Sequence, residues 1–262
     1  MIKGIDISHY QAGRVNYAAL RPGGVEFAIL KVSEGVTLAD ASFSAHYSGM
    51  RAAGIPVGAY AYCRATSVAE AEAEARAAVR ALEYRALQLP LFYDIEEDAL
   101  RLGGDSLLFM AAAFARVVTA AGYRFGVYSN QLGFWYLCPP ERLRAAVPDA
   151  AVWVARYGAS SVGVDGAQLW QYTNAGSIPG VSGDVDVDIL YDEGLIRAGA
   201  PTADPVPDSG TGAPQPKADA VVRMLQSCMA QDGYWPEGQI TGFKSREFRE
   251  KIKEYAADVA RT

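Results

Sequence analysis

Eight short runs of apolar and β-branched residues recur along the first 190 positions, and helix-compatible stretches separate the earlier ones. That alternation limits the fold more than any other feature, because parallel strands need long crossovers and helices supply them. The spacing predicts strands at Gly4–Ile7, Phe27–Val32, Pro56–Tyr62, Leu89–Ile95, Phe125–Ser129, Val152–Ala155, Gln168–Tyr172 and Val185–Leu190. The clearest predicted helix is Ser67–Tyr84, with Ser67 as cap and Glu70 three residues on. Asp105–Ala121 and Phe43–Ala53 follow, closed by Gly122 and Gly54, with shorter helices near Tyr17–Arg21 and Glu141–Ala146. The last three strands are separated by segments without a helix, and a regular eightfold β/α barrel takes about 250 residues. The expected architecture is therefore α/β: a TIM-like barrel with a parallel sheet, regular in its first five units and abbreviated afterwards.

Composition marks where that domain ends. Residues 198–217 read AGAPTADPVPDSGTGAPQPK, a flexible linker by content. It divides a barrel domain at 1–197 from a small module at 218–262, expected to be helical over 221–230 and 245–260 with a turn around 233–238. Forty-odd residues form a marginal independent core, so a wall-binding module and an oligomerising appendage that makes homo-oligomers both remain open for it.

The net charge of −6 argues against nucleic acid as a partner. No run approaches the apolar length of a membrane helix, so no membrane insertion is expected. The N-terminus has no apolar signal region. Synthesis in the cytoplasm without a signal peptide is the expectation, and an extracellular target would then be reached by another route. Cys63, Cys138 and Cys228 are three in number, widely spaced, and read as free thiols. His9 and His46 show no zinc spacing, and His46 reads as structural. GxGxxG, GxxxxGK[ST] and GxSxG are all missing, so no cofactor and no metal are expected.

The strongest chemical signal is Leu89-Pro-Leu-Phe-Tyr-Asp-Ile-Glu96. Alternation along a strand puts Asp94 and Glu96 on one face with Cα atoms roughly 7 Å apart. In a β/α barrel that end of the strand opens on the active-site mouth. Two carboxyls so close do not ionise independently, and one is expected to keep its proton to higher pH and act as an acid. Glycoside hydrolysis needs such a pair. Asp6 closes the first strand, and Asp184, Asp186 and Asp188 share one side of the last. Tyr60, Tyr62, Trp153, Tyr157, Trp170 and Tyr172 lie at strand ends, where flat rings suit the C–H faces of sugars.

Asp6-Ile-Ser-His-Tyr-Gln11, Lys31-Val-Ser-Glu-Gly35, Gly58-Ala-Tyr60, Tyr93-Asp-Ile-Glu96, Tyr128-Ser-Asn130, Trp153-Val-Ala-Arg-Tyr157, Leu169-Trp-Gln-Tyr172 and Val185-Asp-Val-Asp188 together resemble glycoside hydrolase family 25, the Chalaropsis-type lysozymes of bacteria and phage endolysins. The resemblance runs in order to about Tyr191. It implies a flattened barrel of eight strands and five helices, (β/α)5β3. It also implies an N-acetylmuramidase that cleaves the β-1,4 bond from N-acetylmuramic acid to N-acetylglucosamine in bacterial peptidoglycan. By position, Glu96 is then the general acid, Asp94 the partner that stabilises developing charge, and Asp6 and Asp186 the rest of an acidic ring. Tyr60, Tyr62, Tyr128, Trp153, Tyr157, Gln168, Trp170 and Asp188 are the expected substrate-binding residues. Asp188 and His46 depart from a pattern in which Asn is frequent, and the extra charge at Asp188 is expected to raise the pKa of its neighbours. Two rivals are a catalytically inactive wall-binding barrel, against which the intact acids speak, and a metal-dependent phosphodiesterase, which the scarcity of histidines disfavours.

Overall fold

A computed structural model describes residues 1–197; the expected linker and helical module lie outside the described residues. The order is β1 (Ile2–Ile7), α1 (Tyr17–Leu20), β2 (Phe27–Glu34), β3 (Leu38–Ala39), α2 (Phe43–Ala52), β4 (Val57–Tyr62), α3 (Val68–Leu82), β5 (Leu91–Asp94), α4 (Gly104–Ala120), β6 (Phe125–Asn130), α5 (Pro140–Ala146), β7 (Ala151–Ala155), β8 (Leu169–Gly176) and β9 (Val185–Leu190). Eight of these strands close a barrel in the order β1-β9-β8-β7-β6-β5-β4-β2, sealed by the β1–β2 pairing. Five helices accompany the first strands and none separates the last three, as the spacing predicts.

One expectation is corrected. The sheet is mixed: β9 runs antiparallel to both β8 and β1, and the other barrel pairings are parallel. Residues 177–184 contain no helix, so the chain turns back rather than crossing over. The two-residue β3, which pairs with the end of β2, has no sequence signal beyond its length.

Inside the barrel, Phe27, Ile29, Phe92, Tyr128, Trp153, Leu169 and Leu190 form the core. Glycines make room for the rings: a Cβ on Gly4 would lie 2.5 Å from Phe27, and one on Gly126 2.5 Å from Phe92. Outside, Tyr93 stacks on Phe114 of α4 at 4.1 Å. Ser67 caps α3 as its sequence suggests, its side chain accepting from the Glu70 amide. Cys63 and Cys138 are buried free thiols, whereas Cys228 lies outside the described residues. His46 is buried, with Nε2 3.0 Å from the Ser8 carbonyl and Nδ1 2.9 Å from the Tyr17 hydroxyl. Its role is structural. Among the described residues no helix is long and apolar enough to cross a membrane.

Candidate active site

Pleating decides which side chains reach the mouth. On β5, Phe92 points into the barrel core, so Asp94 two residues later points the same way. Glu96 keeps extended backbone beyond the end of the strand (φ −137°, ψ 176°). Between them Ile95 is buried on the other side, its amide donating to the Tyr128 carbonyl at 2.9 Å. Asp94 and Glu96 therefore share the inner face at the C-terminal rim. Asp94 is buried, while Glu96 is partly open to solvent.

Opposite them the seam between β1 and β9 supplies three more acids. Register pairs Asp6 with Asp186 and Gly4 with Asp188, so all three carboxyls project inward. Asp6 and Asp188 are buried and Asp186 is partly exposed. Burial is the largest cause of the raised pKa at each. For Asp6 the charges of Asp188 and Asp186 push further upward. Asp184 lies before the strand and is exposed.

Tyrosines and one amide join the two sides. Gln171 of β8 accepts through Oε1 from the hydroxyls of Tyr128 (2.7 Å) and Tyr157 (2.6 Å). Its Nε2 donates to Asp6 Oδ2 at 2.7 Å. Tyr60 packs edge-on against Trp153 with centroids 6.2 Å apart. Burial above all pushes the Tyr60, Tyr128 and Tyr157 hydroxyls upward, and nearby carboxylates add to it, so they stay neutral donors. Tyr62 stands at the rim with Lys31 Nζ and the Arg64 guanidinium 5.2 and 4.7 Å from its ring centroid. Glu34 links those two cations, at 2.6 Å from Lys31 and 2.7 Å from Arg64.

Four expected substrate-binding residues sit elsewhere. Trp153 is 1% exposed and belongs to the core. Its indole N–H donates to Asp188 Oδ1 at 2.8 Å, and Asp188 is itself 0% exposed, so neither presents a surface to a sugar. Trp170 lies on the outer face, because its neighbours Leu169 and Gln171 point inward, and its indole donates to the Arg156 carbonyl. Gln168 is at the opposite end of the barrel, bonded to Arg144, the Val152 amide and Asp192.

The residue missed in that stretch is Gln171, and strict alternation from Leu169 would have found it. Trp135 and Tyr136 drew no comment from the sequence. They are exposed on the π-helical turn Gly133–Leu137 after β6, with the Trp135 indole anchored to the Gly163 carbonyl at 2.8 Å.

Residues 5–181 match the model of the family described as Glycosyl hydrolases family 25. An autolytic lysozyme of Clostridium acetobutylicum is 30% identical over 205 residues, covering 78% of this chain and 60% of that protein. Lysozyme M1 of Streptomyces globisporus is 31% identical over 196 residues, covering 71% of this chain and 66% of that protein. The chain thus spans about two thirds or less of the length of these two relatives. The crystal structure of a bacterial lysozyme from Streptomyces coelicolor superposes with a TM-score of 0.60 at 27% identity, covering 73% of this chain and 92% of that one.

Proposed function

The chain belongs to glycosyl hydrolases family 25, and from that premise we propose that it hydrolyses peptidoglycan as an N-acetylmuramidase. One observation carries the reading: Asp94 and Glu96 share the inner face at the C-terminal rim of a closed barrel, opposite further acids and beside tyrosine donors. The lysozyme names of its relatives support it.

In this reading the glycan lies across the mouth. Glu96, the more exposed of the pair, protonates the oxygen of the leaving sugar. Asp94, buried beneath it, stabilises the positive charge that develops on the cleaved ring, either directly or through the substrate's acetamido group. Asp6 and Asp186 complete the acidic ring. Tyr60, Tyr128 and Tyr157 offer neutral hydroxyls to the sugar, and the half-exposed rings of Tyr157 and Tyr62 offer stacking faces. Action on the bacterial wall, whether as a phage endolysin or as an autolysin, follows from the substrate.

The test is fragment chemistry. Purified protein is incubated with bacterial walls, and the released glycans are reduced and weighed by mass spectrometry. New reducing muramic-acid ends are the expected result. New reducing glucosamine ends, new free amines, or intact walls would each overturn the assignment.

A further inference from the structure

A chain of hydrogen bonds runs beneath the mouth, and its directions are fixed by which groups can donate. Trp153 has only a donor, so Asp188 Oδ1 is an acceptor. Gln171 uses Oε1 for two tyrosine hydroxyls, so its amide N–H side faces Asp6 Oδ2, which also accepts. Asp188 Oδ2 is fully buried, and no donor N–H or hydroxyl of another residue type reaches it. Asp6 projects inward from β1 two residues beyond Gly4, the register partner of Asp188, so the two carboxyls are neighbours on the same face. Two carboxylates cannot bond to each other. A proton between them satisfies both.

We propose that Asp6 and Asp188 share a proton as a carboxylic acid–carboxylate pair, and that Asp188 is a positioning residue that holds Asp6, and through it Gln171, Tyr128 and Tyr157, in place. The proton belongs to the pair rather than to either residue. Its effect is to remove one negative charge from the floor of a site already crowded with acids. When the pair loses it, two buried charges repel, and the amide that aims both tyrosines loses its fixed partner.

The titratable groups around the pair come from every neighbouring strand. Asp186 faces it from β9. Tyr60 on β4 and Tyr128 on β6 lie within electrostatic reach of Asp6 and Asp94, and Tyr157 after β7 within reach of Asp6, Asp186 and Glu96. Asp40 acts on Tyr60 from further off, and on β2 Lys31 is paired with Glu34. Among the described residues no group of three or more His, Cys, Asp or Glu side chains is arranged to hold a metal ion.

The sign of the linkage follows. The pair keeps its proton in the folded state, whereas free carboxyls lose theirs near pH 4. The folded state therefore binds the extra proton, and stability falls as pH rises from about 4 towards the value of about 8 to which burial pushes Asp188.

Asp188→Asn keeps the shape, accepts from Trp153, and donates an N–H to Asp6, so no shared proton is needed. Thermal midpoints measured from pH 5 to 8 should fall less steeply in D188N than in the parent, by about 3 °C per pH unit. Asp6→Asn, which donates to Asp188 instead, should flatten the same slope. In the parent, the infrared carbonyl band of a buried protonated carboxylic acid should persist at neutral pH and disappear in D188N. Equal slopes in parent, D188N and D6N, or no such band in the parent, would overturn the proposal. In wall-clearing assays the alkaline limb of D188N should move to higher pH; an unmoved limb rejects the positioning role. That last arm rests on the muramidase reading, but the stability and infrared arms need no substrate. A parent that leaves walls intact while D188N flattens the slope sinks the function and leaves the pair standing.

Discussion

The two ends of the barrel solve the same problem differently. At the N-terminal end, Arg144 donates to the carbonyls of Ala150 and Gly166 and to Gln168, and Gln168 in turn bonds the Val152 amide and Asp192. Arg124 donates to the Gln88 carbonyl and Arg197 to that of Gly194. A cavity of about 390 Å³ lies among them. There, cations meet backbone dipoles and a carboxylate. At the C-terminal end, five acids (Asp6, Asp94, Glu96, Asp186 and Asp188) face one another, with one amide and a few hydroxyls between them. Like charges gathered in a buried cleft cost stability, and groups held so are the ones poised for proton transfer. One mouth is built to hold the fold together, and the other gathers the groups proposed to act on a substrate.

The contrast is open to direct attack. Glu96→Gln removes a proton donor without changing shape, so wall clearance should drop by about 10³-fold while the thermal midpoint barely moves. Clearance within tenfold of the parent would remove Glu96 from the chemistry. Gln171→Leu removes the acceptor of two tyrosine hydroxyls and the donor to Asp6 Oδ2. It should cost about 2–3 kcal/mol in stability and lower clearance by about tenfold or more, measured by denaturant unfolding and by turbidity. Arg144→Ala tests the other end. Loss of its bonds should lower stability by about 1–2 kcal/mol, or roughly 3–6 °C, with the turnover of folded protein unchanged. Smallest is Trp170→Phe, which removes one hydrogen bond on the outer face. It should cost about 1 kcal/mol or less and leave KM alone; a raised KM would return Trp170 to the site.

Most of the barrel was legible because its strands carry dense apolar runs and its longer helices carry caps. Ser67, Gly54 and Gly122 marked ends that the structure keeps to within a residue or two. The direction of β9 was not legible, since strand pattern alone is the same for parallel and antiparallel neighbours. Within the site, the acids stood out because charged residues rarely end an apolar strand without reason. The aromatics misled. Trp153 and Trp170 share the strand ends with Tyr128 and Tyr157, but a ring's usefulness to a sugar depends on exposure, and exposure depends on packing from strands far away in sequence. Asp188 misled for a related reason: its position on the acidic face was right, but its depth was set by the Trp153 indole above it.

The place of β9 has a consequence for how the domain assembles. Because it sits between β8 and β1, the earlier strands can form only an open, curved sheet with an unpaired edge on each side. Such edges recruit other chains. The last segment needed is the one that carries Asp186 and Asp188, and it meets the strand that carries Asp6 across some 180 residues of chain. Contacts so distant in sequence form late. During synthesis the domain therefore stays without its acidic cleft until residues 185–190 slot home.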